Sequence, residues 1–223
     1  MIMAIISDVH GNYPALKSVL DKIDEMGCDR IISLGDVVGY YCMVNECVDE
    51  FRKRNVINIL GNHESYLLGI NNCYRSLTVR NCIEYQKKII TEENLIYLKK
   101  SLMSYDSDVI SARHGGWRDP LEEYIDKFDF SIQQDDRIYC SGHTHVQVIQ
   151  AKSGKTYFNP GAVGQPRDGN PKAAFAIIRD RKVELYRVEY AIEDIVMQMR
   201  RVGFEDRISN CLFDGRKIET YRK

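Results

Sequence analysis

The sequence predicts an α/β fold, read as one domain over residues 1–223, from three observations. The first 60 residues alternate apolar runs with amphipathic stretches in the order β-α-β-α-β, which favours parallel strands joined by crossover helices. From residue 137 the pattern becomes strand-rich, with short runs separated by turn residues. A chain of 223 residues, 44% hydrophobic and 28% charged, is long enough and apolar enough for one substantial core.

Each element has a local reason. Ile2–Ser7 is an apolar run closed by Asp8, suited to a strand buried on both faces. Asn12 can cap the next helix, Pro14 fits its first turn, and Ala15, Leu16, Val19, Leu20, Ile23 and Met26 recur at helical spacing before Gly27. Asp29–Leu34 reads as a strand, Asn45–Lys53 as a helix and Asn55–Leu60 as a third strand. Ser65–Lys88 reads as mostly helical, and Thr91 with Glu92 and Glu93 opens a further helix to about Leu102. Ser107–Arg113 resembles a strand, whereas Gly115–Asp136 mixes Gly, Pro, aromatics and charge and reads as loops with short helices. Strands follow at Arg137–Ser141, Val146–Ala151, Thr156–Asn159, Ala173–Arg179 and Val183–Glu189, with hairpin turns at Gly154 and Asp180-Arg181. Ala191–Arg201 is a helix, and the residues beyond it carry no decisive pattern.

Composition excludes some classes of function. With 31 basic and 32 acidic residues the net charge is −1, so no general nucleic-acid surface is expected. No apolar run approaches the roughly 20 residues of a membrane span. Met1–Ser7 is too short for a secretion signal. The seven cysteines are odd in number and contain no CxxC, which fits reduced thiols in a cytoplasmic protein.

The chemistry gathers where strands end. The first strand runs into Asp8-Val9-His10-Gly11-Asn12, the second into Gly35-Asp36, the third into Gly61-Asn62-His63-Glu64. A fourth runs into His114-Gly115-Gly116 and a fifth into Gly142-His143-Thr144-His145. Ligands of open α/β sheets bind outside the carboxyl ends of the strands, so the five segments can converge. All five histidines of the chain fall in these segments, beside Asp8, Asp36 and Asn62. Several imidazoles and carboxylates buried together without a cation would be costly to desolvate. Around two divalent ions they become ligands.

In order and approximate spacing, Asp8-x-His10, Gly35-Asp36, Gly61-Asn62-His63-Glu64, His114 and Gly142-His143-x-His145 resemble the calcineurin-like metallophosphoesterase superfamily. The run Asn159–Arg167 is similar to a loop of its small bacterial and archaeal phosphodiesterase branch. The resemblance implies a sandwich of two β-sheets flanked by helices. It also implies a site in which Asp8, His10 and His145 hold one metal, Asn62, His114 and His143 the other, and Asp36 bridges them. Mixed nitrogen and oxygen ligands suit Mn²⁺, with Fe, Zn²⁺ or Ni²⁺ as alternatives. Two such ions roughly 3.5–4 Å apart can hold a hydroxide between them and clamp phosphoryl oxygens during in-line attack. By the same resemblance His63 faces substrate and assists the leaving group. Glu64 is expected to orient His63 or its loop.

Two departures narrow the reading. Gly39 stands where many members carry the second aspartate of Gly-Asp-x-x-Asp, and Tyr40-Tyr41 replace the Arg-Gly of protein phosphatases. Arg167 is a candidate for the missing positive charge at phosphate. Gly161 and Gly164 would allow a tight turn with backbone amides near phosphate. Tyrosines 13, 40, 41, 66, 74 and 85 could include a surface on which a base stacks. The expected activity is hydrolysis of a phosphodiester in a small or nucleotide-like substrate. Cleavage of a dinucleoside polyphosphate is the alternative within the enzymes. A silent interaction scaffold is the other alternative, since a retromer subunit with this fold lacks the histidine of Gly-Asn-His, which is present here as His63.

Overall fold

The computed structural model describes residues 1–74 and 76–218. Two mixed sheets of five strands face one another. The first contains β1 (Ile2–Ile6), β2 (Arg30–Ser33), β3 (Ile57–Asn58), β9 (Ala173–Arg179) and β10 (Lys182–Val188), in the order β10-β9-β1-β2-β3. The second contains β4 (Tyr105–Asp106), β5 (Ile110–Arg113), β6 (Ile138–Ser141), β7 (Gln147–Lys152) and β8 (Lys155–Pro160), in the order β4-β5-β6-β8-β7. β1, β2 and β3 are parallel, as are β5, β6 and β8; antiparallel strands flank the parallel set on both sides in the second sheet and on one side in the first, where β3 is a parallel edge.

Strand alternation distributes the core. Met3 and Ile5 point between the sheets and meet Ile32, Ile110, Ala112, Ile138, Cys140 and Phe158. Ala4 and Ile6 point the other way, into a layer formed by the helices α1 (Tyr13–Glu25), α2 (Val44–Lys53), α3 (Asn62–Leu67), α4 (Leu77–Ile89) and α5 (Glu92–Leu98). A strand covered on both faces needs an unbroken apolar run, and Ile2–Ile6 is one. α6 (Ile192–Arg201), α7 (Asp206–Asn210) and the turn Cys211–Asp214 pack around Tyr41 and Cys82. The outer face of the second sheet is covered by Ile125, Phe128 and Trp117 of an irregular segment lying on Tyr139 and Tyr157.

Capping follows the sequence closely. Asn12 accepts from Ala15 N at 3.3 Å, Thr91 from Asn94 N at 3.3 Å and Ser76 from Val79 N at 3.2 Å. Expectations change at several places: the strand expected over Asn55–Leu60 shrinks to Ile57–Asn58, and the helix behind Thr91 ends at Leu98, short of Leu102. Ser65–Lys88 is not one helix: α3 already begins at Asn62 and stops at Leu67, and α4 starts afresh at Leu77 behind its own Ser76 cap. Arg75, within that range, lies outside the described residues. The strand predicted for Ser107–Arg113 begins only at Ile110, because the Ser107 hydroxyl accepts from Val109 N and Ile110 N and folds the backbone into a hairpin with β4. Gly115–Asp136 contains no helix among its residues. The indecisive C-terminal stretch forms α7 and a short 3₁₀ turn, and its last residues 219–223 lie outside the described part.

Candidate metal centre

The parallel strands of both sheets deliver their carboxyl ends to one edge of the sandwich. Asp8 and His10 follow β1, Asp36 follows β2, and Asn62 and His63 open α3 just after β3. His114 follows β5, and His143 and His145 follow β6. All eight side chains are buried. Every segment expected to converge does so.

Holding them there requires unusual backbone. Nine non-glycine residues among those described have φ in the left-handed region, and five of them are Asp8, His10, Asp36, His143 and His145. For residues with a Cβ that conformation costs about 1–2 kcal/mol each. It persists only where the surroundings over-determine it. Here His10 N donates to Asp36 O at 2.9 Å, and Tyr41 N to His10 O at 2.8 Å. His143 N donates to the Asp8 carboxylate at 3.1 Å, while Asn159 Nδ2 donates to Gly142 O at 2.7 Å. Each loop is thus pinned by another loop of the site.

Glu64 is the central fastener, more than the orienting group the sequence suggested. Fully buried, its carboxylate accepts from Asp36 N at 2.8 Å, Val37 N at 2.6 Å, Val38 N at 3.2 Å and Gly61 N at 2.9 Å. The last bond caps α3 from its third position. Gly61 stands at the N-cap because a Cβ there would collide with the Asp36 carboxylate. Gly39 has a similar reason: at φ 123°, a Cβ would run into the rings of both His10 and His63.

Hydrogen bonds reveal what the inward-facing atoms are. His10 Nδ1 lies 2.9 Å from Val38 O, His145 Nδ1 2.6 Å from Gln165 O, and His114 Nδ1 2.8 Å from Leu34 O. A carbonyl can only accept, so each Nδ1 carries the proton and each Nε2 presents a lone pair inward. His10 Nε2 and His145 Nε2 are nevertheless 3.2 Å apart, and Asp8 Oδ1 is 3.3 Å from His145 Nε2. Asp8 Oδ1 has no hydrogen-bond partner among the described residues. In the second group His114 Nε2 lies 3.0 Å from Asn62 Oδ1, 3.1 Å from His143 Nδ1 and 3.5 Å from Asp36 Oδ2. The two lone pairs of His10 and His145, turned on one another in a buried space, repel unless a cation lies between them. The donor set therefore fits divalent ions. Asp36 Oδ2 is also 3.8 Å from His10 Nε2, so this carboxylate reaches toward both groups.

Electrostatics point the same way. Burial pushes the carboxyls of Asp8 and Asp36 above the usual carboxylate range, for Asp36 with the neighbouring Glu64 and Asp8 adding to it. Burial, with His63 and Arg167 nearby, holds His10 well below the ordinary imidazole value. His145 is lowered likewise by burial, Arg167 and His10. Both kinds of ligand are held toward their uncharged forms. For imidazole that is the form that ligates.

His63 occupies the cavity wall. Its backbone N donates to Asp36 Oδ1 at 2.9 Å, its Nε2 is 3.9 Å from Asp36 Oδ2, and its Nδ1 has no hydrogen-bond partner among the described residues. Burial, then Arg167 and His114, keep the ring neutral. It also lies close enough to His10 and Asp36 to form a third possible metal-holding group with them. Tyr40 stacks edge-on to His10 at 4.6 Å between ring centroids, and the Arg167 guanidinium lies 5.6 Å from the Tyr40 ring. Arg167 donates to Tyr40 Oη at 3.1 Å and to Gln165 Oε1 at 2.6 Å. It faces the site and is not a surface arginine. The glycines of its loop offer no phosphate cradle, contrary to expectation: Gly161 N donates to Asn159 Oδ1 and Gly164 N to Asp8 O, both at 2.9 Å.

A cavity of about 400 Å³ opens over Asp36, Asn62, His63, His143 and His145. Tyr40, Tyr66 and Arg167 also line it, as do Glu122, Tyr124 and Lys217, which sequence reasoning missed. Those three sit in segments without periodicity or a recurring residue pattern, and no local signal marks them. Among the other suggested tyrosines, Tyr41 is wholly buried in the core and Tyr74 is 83% exposed away from it.

Residues 1–181 match the family model of the calcineurin-like phosphoesterase superfamily domain, and the chain belongs to that superfamily. It is 32% identical to an uncharacterized protein of Methanocaldococcus jannaschii, MJ0912, over 96% of this chain and 98% of that one. It is 23% identical to the phosphodiesterase YfcE of Escherichia coli, over 77% of this chain and 84% of the relative. A metallophosphoesterase from Sphaerobacter thermophilus superposes with a TM-score of 0.84 at 32% identity, covering 96% of this chain and all of the other. Among the described residues no helix is long and apolar enough to cross a membrane.

Proposed function

We propose that this chain is a phosphodiesterase dependent on two divalent ions, most readily Mn²⁺, acting on a small or nucleotide-like ester. The observation that carries the proposal is the set of inward-facing acceptors, above all the buried and unpartnered Asp8 Oδ1 opposite two imidazole lone pairs. Asp8, His10 and His145 would hold one ion, Asn62, His114 and His143 the other, and Asp36 would serve both. Bound there, such a pair supplies Lewis acidity toward phosphoryl oxygens and a nucleophile at neutral pH. The protein's own groups do the rest. Arg167, steadied by Tyr40 and Gln165, is aimed to neutralise phosphate charge at the cavity wall. His63 faces the same space and would deliver a proton to the departing oxygen. A neutral ring already carries one N–H, and the negative charge of arriving phosphate favours protonation of the second nitrogen.

Hydrolysis of bis-p-nitrophenyl phosphate tests the reading. Activity should vanish with chelator and return with Mn²⁺. Homogeneous protein with both sites filled, yet inactive on diesters, monoesters and anhydrides alike, overturns it.

A further inference from the structure

Asn62 poses a problem that the metal-site residues cannot solve by themselves. A side-chain amide can be turned either way, and only one orientation offers its oxygen inward. Turned over, Asn62 would donate Nδ2–H to the lone pair of His114 Nε2, 3.0 Å from the present Oδ1. That arrangement is self-satisfied without any cation and would close the site. Something outside the ligand set must choose.

Two residues there make the choice. Tyr66, one turn along α3, receives a hydrogen bond from Asn62 Nδ2 at 3.3 Å. The Tyr66 hydroxyl in turn donates its single proton to Glu122 Oε1. With that proton committed, the Tyr66 oxygen can only accept from Asn62, so the amide nitrogen must face Tyr66 and the amide oxygen must face His114. Glu122 arrives from the irregular segment on the second sheet, whereas Tyr66 belongs to the helical layer of the first. We propose that Glu122 and Tyr66 form an amide lock, a pair of positioning residues that fix Asn62 in its metal-ligating orientation and thereby set the affinity of the Asn62–His114–His143 position. The proposal rests on Asn62 being a metal ligand, as stated above.

The lock predicts a selective effect. Tyr66→Phe removes the acceptor for Asn62 Nδ2 while keeping the ring. Glu122→Ala removes the acceptor for the Tyr66 hydroxyl proton, which is then free to reach Asn62 Oδ1, so the turned-over amide is no longer excluded. Partners of this kind outside the ligand set typically govern metal affinity by about 10–100-fold. Titration calorimetry with Mn²⁺, backed by elemental analysis, should show one of two sites weakened by that factor in both variants. The other site should keep its wild-type affinity, and the circular dichroism should be unchanged. Asn62→Ala serves as the reference. If it loses one ion and the two variants do not, the lock is wrong although the metal reading stands. If Asn62→Ala itself keeps both ions, Asn62 is no ligand and both ideas fall. Equal weakening of the two sites would indicate a general loss of structure, and that also overturns the lock.

Discussion

Glu64→Gln is the sharpest test of how the site is held, because it changes shape hardly at all. The carboxylate accepts four backbone N–H groups, Val37 and Val38 on one oxygen and Asp36 and Gly61 on the other. A glutamine keeps one accepting oxygen. Whichever way it turns, its NH₂ confronts two amide donors, and none of them has water to turn to. Hydrogen bonds to a charged group contribute about 1.5–3 kcal/mol each, so losing two amounts to roughly 3–6 kcal/mol. Burial pushes the Glu64 carboxyl up, with His114 and the amides pulling it back, so discarding the charge returns part of that loss. A net destabilisation of about 2–4 kcal/mol follows, against a total of roughly 5–15 kcal/mol for a protein domain. For a chain of this size that lowers Tm by about 4–16 °C, at roughly 2–4 °C per kcal/mol. The loosened loop carries Asp36, so metal retention should suffer in the folded variant. Thermal melts of the chelated protein, followed by elemental analysis after reloading, provide both readings. A variant melting within 2 °C (on the order of the smallest shift a 1 kcal/mol change gives) and holding both ions would refute the fastening role.

Other perturbations bear on the proposed chemistry. Arg167→Ala should raise KM or lower kcat with metal content unchanged; unaltered kinetics would remove Arg167 from the phosphate site. Asp36→Ala should weaken both ions whereas Asp8→Ala empties mainly one, and metal analysis of the two folded variants separates these outcomes. Free metal at about 100 times its Kd should add roughly 2.7 kcal/mol per site, raising Tm by about 5–11 °C over chelated protein; a melt indifferent to chelator contradicts a resident metal. His63→Ala should keep both ions and lose about 10²–10⁴-fold in turnover, more on an alkoxide ester than on a nitrophenyl ester. Equal loss on both esters argues against proton donation, and a lost ion makes His63 a ligand. In metal-free protein His10, His63 and His145 are all depressed by burial. The three lowered imidazoles make stability fall as pH drops below about 6.5, while the raised carboxyls of Asp8, Asp36 and Glu64 take up protons on folding and act in the opposite sense.

Legibility in the sequence followed locality. β1 and α1 were readable because the apolar run, the Asn12 cap and the 3.6-residue period all lie within a few positions of one another. The five strand-end segments were readable because together they hold every histidine of the chain beside Asp8, Asp36 and Asn62. Breaks in regular structure were not. The stop of α3 at Leu67 and the folding of Ser107 into a hairpin are decided by side-chain hydrogen bonds and by what lies across the fold. Glu122, Tyr124 and Lys217 reach the cavity through tertiary packing alone. The Asn159–Arg167 loop shows a subtler limit. Its importance was visible, but its amides serve Ser7, Asp8 and Asn159 instead of a ligand.

Strain and charge in this site have a common logic. Five residues sit in left-handed backbone, at about 1–2 kcal/mol each. Two buried carboxyls are pushed up and three buried imidazoles pushed down. Each of these is unfavourable for the empty site, and each becomes favourable, or at least neutral, with cations among the donors. A carboxylate beside a dication is stabilised in its charged form, and a neutral imidazole already presents the lone pair a metal takes. The unfavourable terms are borne by groups that carry no chemistry: Glu64 with its four amides, Asn159 across the His143 loop, and the glycines at 39 and 61 that make room. That division explains why the ligands can stand in poor local conformations while the helices and sheets around them remain regular. It also explains why residues distant from any ligand role, Glu64 first among them, should be as sensitive to substitution as the ligands themselves.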